Sequence, residues 1–220
     1  MLFVPYEIET LIQERPWANW LLVATSTIVS IAALLGDGAW AEALVLWGFS
    51  LPGLFGHVLL HADFGHLLGN MIFLWVFGNA ICANIGNAKF LGLFVILTAV
   101  AASVHNLLDG SPAIGASGAI NGIVGVVLAM YPLNRVSLFW FFLIRGGTFQ
   151  IRAFWIILAW FVFDVWGALS GGGNVAYWAH LGGFLGGLGI GLLALRSGWI
   201  RMTDCDNRCL LEIIKGETWD

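Results

Sequence analysis

The sequence predicts an all-α membrane protein, a bundle of six transmembrane helices whose central fourth helix is short. Of its residues, 60% are hydrophobic and only 10% are charged, whereas a soluble domain has about 25% charged residues. The apolar residues also form runs close to the ~20 residues that span a bilayer. Such a chain cannot cover a water-facing surface. Its small net charge of −4, without a basic run, gives no indication of a nucleic acid partner.

Charged residues and Gly/Pro punctuation divide the chain into six apolar segments. The first lacks a basic start and a small-residue cleavage site, so we interpret it as a retained span rather than a signal peptide. We predict a short N-terminal segment, 1–16, a six-span domain, 17–196, and a polar C-terminal tail, 197–220. The predicted spans cover residues 17–35, 64–85, 90–108, 117–132, 151–168 and 178–196.

The positions of the basic residues predict the orientation of these spans. With the N-terminus inside, all nine lysines and arginines fall on the cytoplasmic side, as the positive-inside rule requires. Both termini are then cytoplasmic, and we expect a multi-pass protein of the plasma membrane (the inner membrane of a prokaryote). The basic residues are Arg15, Lys89, Arg135, Arg145, Arg152, Arg196, Arg201, Arg208 and Lys215.

The fourth span is too short to reach across the whole bilayer. About 16 residues of helix extend roughly 24 Å, against a hydrocarbon core of about 30 Å. Its first residue, Ser117, is therefore expected below the outer surface. The Gly/Ser/Pro-rich residues 109–116 must then dip inward, which irregular backbone tolerates only inside protein or along a wet cavity. We expect a cavity that opens to the outside.

Polar side chains within spans are costly, so each of them needs a reason. His66, Ser117 and His180 each lie near the start of a span that runs from outside to inside, and so are expected at similar depth. Asn70 lies one turn below His66 on the same helix face. Topology alone therefore predicts that a nucleophile, a base and two hydrogen-bond donors converge in the cavity.

Glycines spaced by four allow the fourth and sixth spans to pack backbone against backbone. Gly118 and Gly122 lie in the fourth span, and Gly183 and Gly187 in the sixth. Ser117 comes just before the glycines of the fourth span, and His180 just before those of the sixth. Close packing of the two spans would therefore bring the two side chains within reach of each other.

These segments together resemble the rhomboid family of intramembrane serine proteases. They are HADFGHLLGN from His61 to Asn70, GASG from Gly115 to Gly118, and AHLGGFLGG around His180, and the resemblance covers about 17–196 in order and spacing. It implies an endopeptidase that cleaves transmembrane helices of other proteins near their outer ends, within the lipid bilayer and without a cofactor. The oligomeric state is not predicted.

The resemblance also assigns roles within the site. Ser117 is expected as nucleophile and His180 as base, while the His66 side chain, the Asn70 amide and the Ser117 N–H form the oxyanion hole. No carboxylate shares the helix end of His180, so we predict a Ser–His dyad rather than a triad. Gly115, Gly118, Asn121 and His61 are expected to surround the dyad.

One position departs from the family pattern. Many rhomboids carry an aromatic residue four positions after the nucleophile, where its ring packs on the catalytic histidine, but this chain has Asn121. Asn121 could hydrogen-bond to the imidazole instead. Asp164, near the outer end of the fifth span, is interpreted as a packing residue, or as one that contacts substrate or tunes His180.

Several residues have a structural alternative. Ser117 could serve only as a helix cap, and His66 with Asn70 could only join neighbouring helices. We assign His61 to structure, tying the first outer loop to the second span, and His105 to a helix-end hydrogen bond.

A metal site is not expected. His57, His61 and His66 lie close in sequence, but no acidic metalloprotease motif accompanies them. Cys205 and Cys209, in the tail, are interpreted as reduced thiols.

Two other functions compete with the protease. A catalytically silent relative that binds transmembrane helices usually lacks the nucleophile or the base, and both are present here. A small transporter would need a continuous polar path, whereas the cytoplasmic halves of the spans are apolar.

Overall fold

The computed structural model describes residues 2–36, 38–142, 145–171, 173, 175–203 and 206–216. Over these residues the chain is mostly helical. A π-helical turn, Leu74–Gly78, joins two of the helices into one continuous helix, Phe64–Ile85. The α-helices are α1 (Trp17–Leu35), α2 (Leu51–Gly56), α3 (Phe64–Phe73), α4 (Asn79–Ile85), α5 (Asn87–Leu108), α6 (Ser117–Met130), α7 (Ala153–Leu169), α8 (Tyr177–Arg196) and α9 (Leu210–Lys215).

Among the described residues, four helices are long and apolar enough to cross a membrane: α1, the joined α3 and α4, α5 and α8. The helices α6 and α7 are apolar but shorter, with 14 and 17 residues. The prediction of a mostly helical, multi-pass membrane protein is confirmed. Each predicted apolar segment corresponds to a helix, although α6 ends at Met130 rather than at residue 132, and α7 begins at Ala153 rather than at residue 151, which lies in β3.

An antiparallel sheet, which the all-α prediction did not include, joins the N-terminal segment to the connection between α6 and α7. Its strands are β1 (Leu2–Ile8), β2 (Arg135–Phe142) and β3 (Arg145–Arg152), in the order β1-β2-β3. Ile8, Val136 and Leu138 are buried in the main core. The aromatic-rich run at 139–142 is typical of a strand, but the pairing of β2 with β1 joins segments more than a hundred residues apart.

The helix α6 lies at the centre of the bundle and is buried along most of its length, as expected of a helix that is apolar all round. It packs against α8 through the predicted glycines. A Cβ atom on Gly183 would overlap the Gly118 carbonyl oxygen, and one on Gly187 would overlap the Gly122 carbonyl oxygen. Only glycine permits this approach, and it brings the N-terminal ends of α6 and α8 together.

Candidate active site

Ser117 and His180 lie in direct contact at the paired ends of α6 and α8. Ser117 is the first residue of α6, and His180 lies in the first turn of α8. The Ser117 Oγ atom is 2.8 Å from His180 Nε2. The Ser117 hydroxyl does not cap its helix, so the alternative in which this serine is only a cap is not supported by the geometry.

A carboxylate contacts the other nitrogen of the same imidazole. Asp164 Oδ1, on α7, is 2.9 Å from His180 Nδ1, and both side chains are largely buried, with exposed fractions of 16% and 14%. No carboxylate shares the helix end of His180, as the prediction of a dyad assumed, but Asp164 approaches the imidazole from a neighbouring helix, α7. Of the three interpretations of Asp164, the one in which it tunes His180 is consistent with this contact.

These two contacts fit one tautomer of the imidazole. A carboxylate oxygen accepts hydrogen bonds, so in this tautomer His180 Nδ1–H donates to Asp164 Oδ1. The lone pair of Nε2 then faces Ser117, whose hydroxyl donates to it. This is the tautomer that a general base needs.

His66 and Asn70 lie on the α3 side of the same cleft. The N–H of Ala62 donates to His66 Nδ1 at 3.4 Å, so the ring proton lies on Nε2, which points towards Gly115. The amide nitrogen of Asn70 is buried and has no hydrogen-bond partner among the described residues. An unpaired buried donor is costly, and this one does not join two helices. It remains available to an acceptor placed in the cleft.

The loop before α6 brings its backbone close to these two donors. Gly115 has φ +119, and a Cβ atom there would lie 2.8 Å from His66 Nε2, so both conformation and space favour glycine. The Gly115 N–H donates to the His57 carbonyl at 2.9 Å. His105 Nε2 lies 2.8 Å from the Ser111 carbonyl oxygen, which confirms the predicted helix-end hydrogen bond. The loop is thus held on both sides.

His61 contacts two helices, α1 and α3. The Ser30 hydroxyl donates to the Leu59 carbonyl at 2.7 Å and accepts from His61 Nδ1 at 2.8 Å, so His61 ties the segment before α3 to α1. Its ring packs edge-to-face on His66, with centroids 5.0 Å apart. Burial, together with the neighbouring His66, lowers the pKa of His61 to about 4, so this ring is neutral at pH 7.

Two clefts meet at the Ser117–His180 pair. One, of about 900 Å³, is lined by the loop before α6 and by Gly173, Val175 and Ala176, which precede α8. The other, of about 330 Å³, lies between α3, α6 and α7. Ser117, His180, His66 and Asn70 line both of them. Gly172 and Asn174, in the glycine-rich segment before α8, lie outside the described residues.

A family model described as the rhomboid domain matches residues 46–197, which include this whole site. The chain belongs to the rhomboid family. In this rhomboid the match runs from the first outer loop to the end of α8, so it includes all three segments that carry the resemblance.

Curated relatives agree with this assignment. The chain is 32% identical over 141 residues to "Rhomboid protein 1, mitochondrial" from Saccharomyces cerevisiae, an alignment that covers 60% of this chain and 39% of that protein. It is 26% identical over 188 residues to "Rhomboid protease GlpG" from Salmonella paratyphi A and from Salmonella typhi, which covers 82% of this chain and 64% of each relative. The chain thus spans less than two thirds of these relatives.

Asn121 occupies the position at which many rhomboids have an aromatic residue, but it does not bind the imidazole. Its amide donates to the Ser117 carbonyl oxygen at 3.0 Å, and both nitrogens of His180 are already engaged. The ring of Tyr177 packs edge-to-face on His180 instead, with centroids 6.0 Å apart. In this rhomboid, Asp164 and Tyr177 both contact the imidazole.

Proposed function

We propose that this rhomboid is an intramembrane serine endopeptidase that cleaves transmembrane helices of other proteins near their outer ends. The observation that carries the proposal is the 2.8 Å contact between Ser117 Oγ and His180 Nε2, because a serine hydroxyl becomes a good nucleophile when an adjacent base takes its proton. The name of the GlpG relatives, "Rhomboid protease", supports the same activity.

In the acylation step, Ser117 Oγ attacks the carbonyl carbon of the scissile peptide bond. Its proton passes to His180 Nε2, and the resulting imidazolium keeps its Nδ1–H on Asp164. When the tetrahedral intermediate collapses, the C–N bond breaks and Nε2 donates the proton to the leaving amine. The remaining product is an ester between Ser117 and the N-terminal part of the substrate.

The tetrahedral oxyanion has three donors available to it. His66 Nε2–H and the buried amide of Asn70 face the cleft beside Gly115, and the Ser117 N–H lies at the N-terminus of α6, where the helix dipole favours negative charge. Preorganised donors of this kind contribute about 2.7–4 kcal/mol each to transition-state stabilisation. The unpaired Asn70 amide supports the assignment, because it gains a partner only when an oxyanion forms.

Hydrolysis of the ester needs water at the serine. The larger cleft, lined by polar groups including Asp63, Asp109 and Ser111, supports a route from the outer aqueous phase. His180 then takes a proton from the attacking water and returns it to Ser117 Oγ as the ester C–O bond breaks. No cofactor is required for either step.

The positions of the basic residues support an orientation for the proposed enzyme. We propose that α6 and α7 also cross the bilayer, which makes six spans in a domain covering 17–196, with segments 1–16 and 197–220 in the cytoplasm. The positive-inside rule supports this arrangement and a location in the plasma membrane or, in a prokaryote, the inner membrane. The short α6 then lies with Ser117 below the outer surface.

Substrate is proposed to enter sideways, between α3 and α7. The smaller cleft opens there, and the rings of Phe73 and Trp160 meet below it with centroids 4.8 Å apart. Exposed apolar residues of α7, including Val162, Phe163 and Trp166, favour contact with lipid or with another apolar helix. A substrate helix must then unwind locally, because an extended segment is needed to reach Ser117.

The alternative is a catalytically silent rhomboid-like protein that binds transmembrane helices. A fluorophosphonate probe separates the two functions, since it reacts only with an activated serine. We expect it to label wild type at Ser117 and not to label Ser117→Ala, while Ser197→Ala, at the far end of α8, labels like wild type. Absence of label on the folded wild type, or label at another residue, would support the silent relative.

Asn70→Ala is expected to lower kcat for cleavage of a single-span reporter about 10²–10³-fold while leaving KM unchanged, because the amide acts on the oxyanion and not on bound substrate. Asn70→Asp, of the same shape, is expected to lose at least as much, since its charge repels the oxyanion. Steady-state kinetics in liposomes measure both constants. A rise in KM with unchanged kcat would instead assign Asn70 to substrate binding.

A further inference from the structure

The contact between Asp164 and His180 bears on how the imidazole is held against Ser117. Within the described residues, the carboxylate of Asp164 contacts the imidazole of His180, with Oδ1 2.9 Å from Nδ1. The opposite nitrogen is 2.8 Å from Ser117 Oγ. The imidazole is therefore held through both of its nitrogens, and each contact is consistent with the tautomer that the other requires.

Asp164 is a charged residue in an otherwise apolar helix. It is the only charged residue of α7, whose sequence is AFWIILAWFVFDVWGAL, and charged groups in apolar helices of membrane proteins are expensive and commonly functional. A packing role would be served by an apolar residue at this position. The carboxylate instead reaches the group that the proposed reaction must protonate and deprotonate.

The glycine at position 167 allows α7 to approach α8 closely. Gly167 lies three residues after Asp164 and so on the same face of α7, and a Cβ atom there would overlap the ring of Tyr177. The Tyr177 ring in turn packs edge-to-face on His180. Gly167 thus allows α7 to lie against Tyr177, close enough for Asp164 to reach the imidazole of His180.

We propose that Asp164 is the positioning residue of a Ser117–His180–Asp164 triad, and that the packing of Gly167 on Tyr177 holds it in place. The inference rests on the proposed function. Asp164 accepts the Nδ1–H of His180 and does not take up the transferred proton, which moves only between Ser117 Oγ, His180 Nε2 and the leaving amine. Since only α7 carries the carboxylate, the triad is complete only while this helix lies against α8.

The test compares substitutions of Asp164 in reporter cleavage by the full chain in liposomes. Asp164→Asn keeps the shape and removes the charge, and we expect kcat to fall about 10²–10⁴-fold with KM unchanged. Asp164→Glu retains a carboxylate and is expected to recover part of the loss. A packing role would predict the reverse order, because Asn has the size of Asp and Glu does not.

A second pair of variants tests the placement without altering the carboxylate. Gly167→Ala is expected to displace α7 and lower kcat, whereas Gly189→Ala, on α8 with no atom near the added methyl group, is expected to cleave like wild type. If Asp164→Asn does not fold, this pair carries the test alone.

Two outcomes would overturn the inference in distinguishable ways. If Ser117→Ala is inactive but Asp164→Asn, or in its absence Gly167→Ala, retains the wild-type kcat, the triad is wrong and the protease remains. If Ser117→Ala cleaves the reporter like wild type, the proposed function fails and the triad fails with it.

Discussion

Replacing His180 with alanine is expected to lower kcat for reporter cleavage about 10⁶-fold. Nε2 is the only base in contact with Ser117 Oγ among the described residues, and without it the hydroxyl keeps its proton and the leaving amine has no acid. Nucleophile and base act as one unit, so removing either has nearly the effect of removing both. We therefore expect Ser117→Ala, His180→Ala and the double variant to be equally inactive.

The measurement is single-turnover cleavage in liposomes, with thermal unfolding as the control for folding. His180→Ala should melt close to wild type, because the side chain lies in a cleft rather than in the core. A double variant that is much slower than either single variant would contradict the model, since it would show that each residue contributes independently.

Replacing Gly187 with alanine is expected to destabilise the protein by about 3 kcal/mol, the upper end of the usual range for overpacking. The added Cβ would overlap the Gly122 carbonyl oxygen, and backbone cannot rotate aside as a side chain can. The helices α6 and α8 must therefore separate. We expect activity to fall as well, because the same packing holds His180 against Ser117.

Gly189→Ala is the matched control, since it lies two residues away on the same helix and its methyl group meets no atom within 4 Å. Thermal unfolding in detergent should show a lower Tm for Gly187→Ala and an unchanged or slightly higher Tm for Gly189→Ala, because Ala favours helix more than Gly does. Equal melting temperatures for the two variants would show that the close approach of α6 and α8 does not stabilise the bundle.

The helical membrane fold could be predicted because its signals are local. The length of each apolar run can be read from consecutive residues and compared with the thickness of a bilayer. The low share of charged residues, 10%, is read directly from the composition. The glycine spacing of Gly183 and Gly187 is also local, and it predicted a close approach that α6 and α8 make. The sheet is different, because the apolar run in β2 becomes part of a sheet only when it pairs with β1, near the N-terminus.

The site shows the same division. His66, Ser117 and His180 were expected at one depth because each begins a span that runs inward, and the structure brings all three to one cleft. Their distances and tautomers could not be predicted, since these depend on how each helix is rotated about its axis. The contact of Asn121 with the Ser117 carbonyl, in place of His180, is one such detail.

The sequence by itself therefore determined a helical membrane protein with Ser117, His180, His66 and Asn70 near one another, because hydrophobic length and helical period order residues along the membrane normal. The rhomboid family was indicated separately, by the resemblance of three of its segments. Only the tertiary structure decided that Asp164 contacts His180. That contact depends on the rotation of α7 and on its approach to Tyr177 at Gly167, and lateral packing of this kind leaves no periodic signal in the chain.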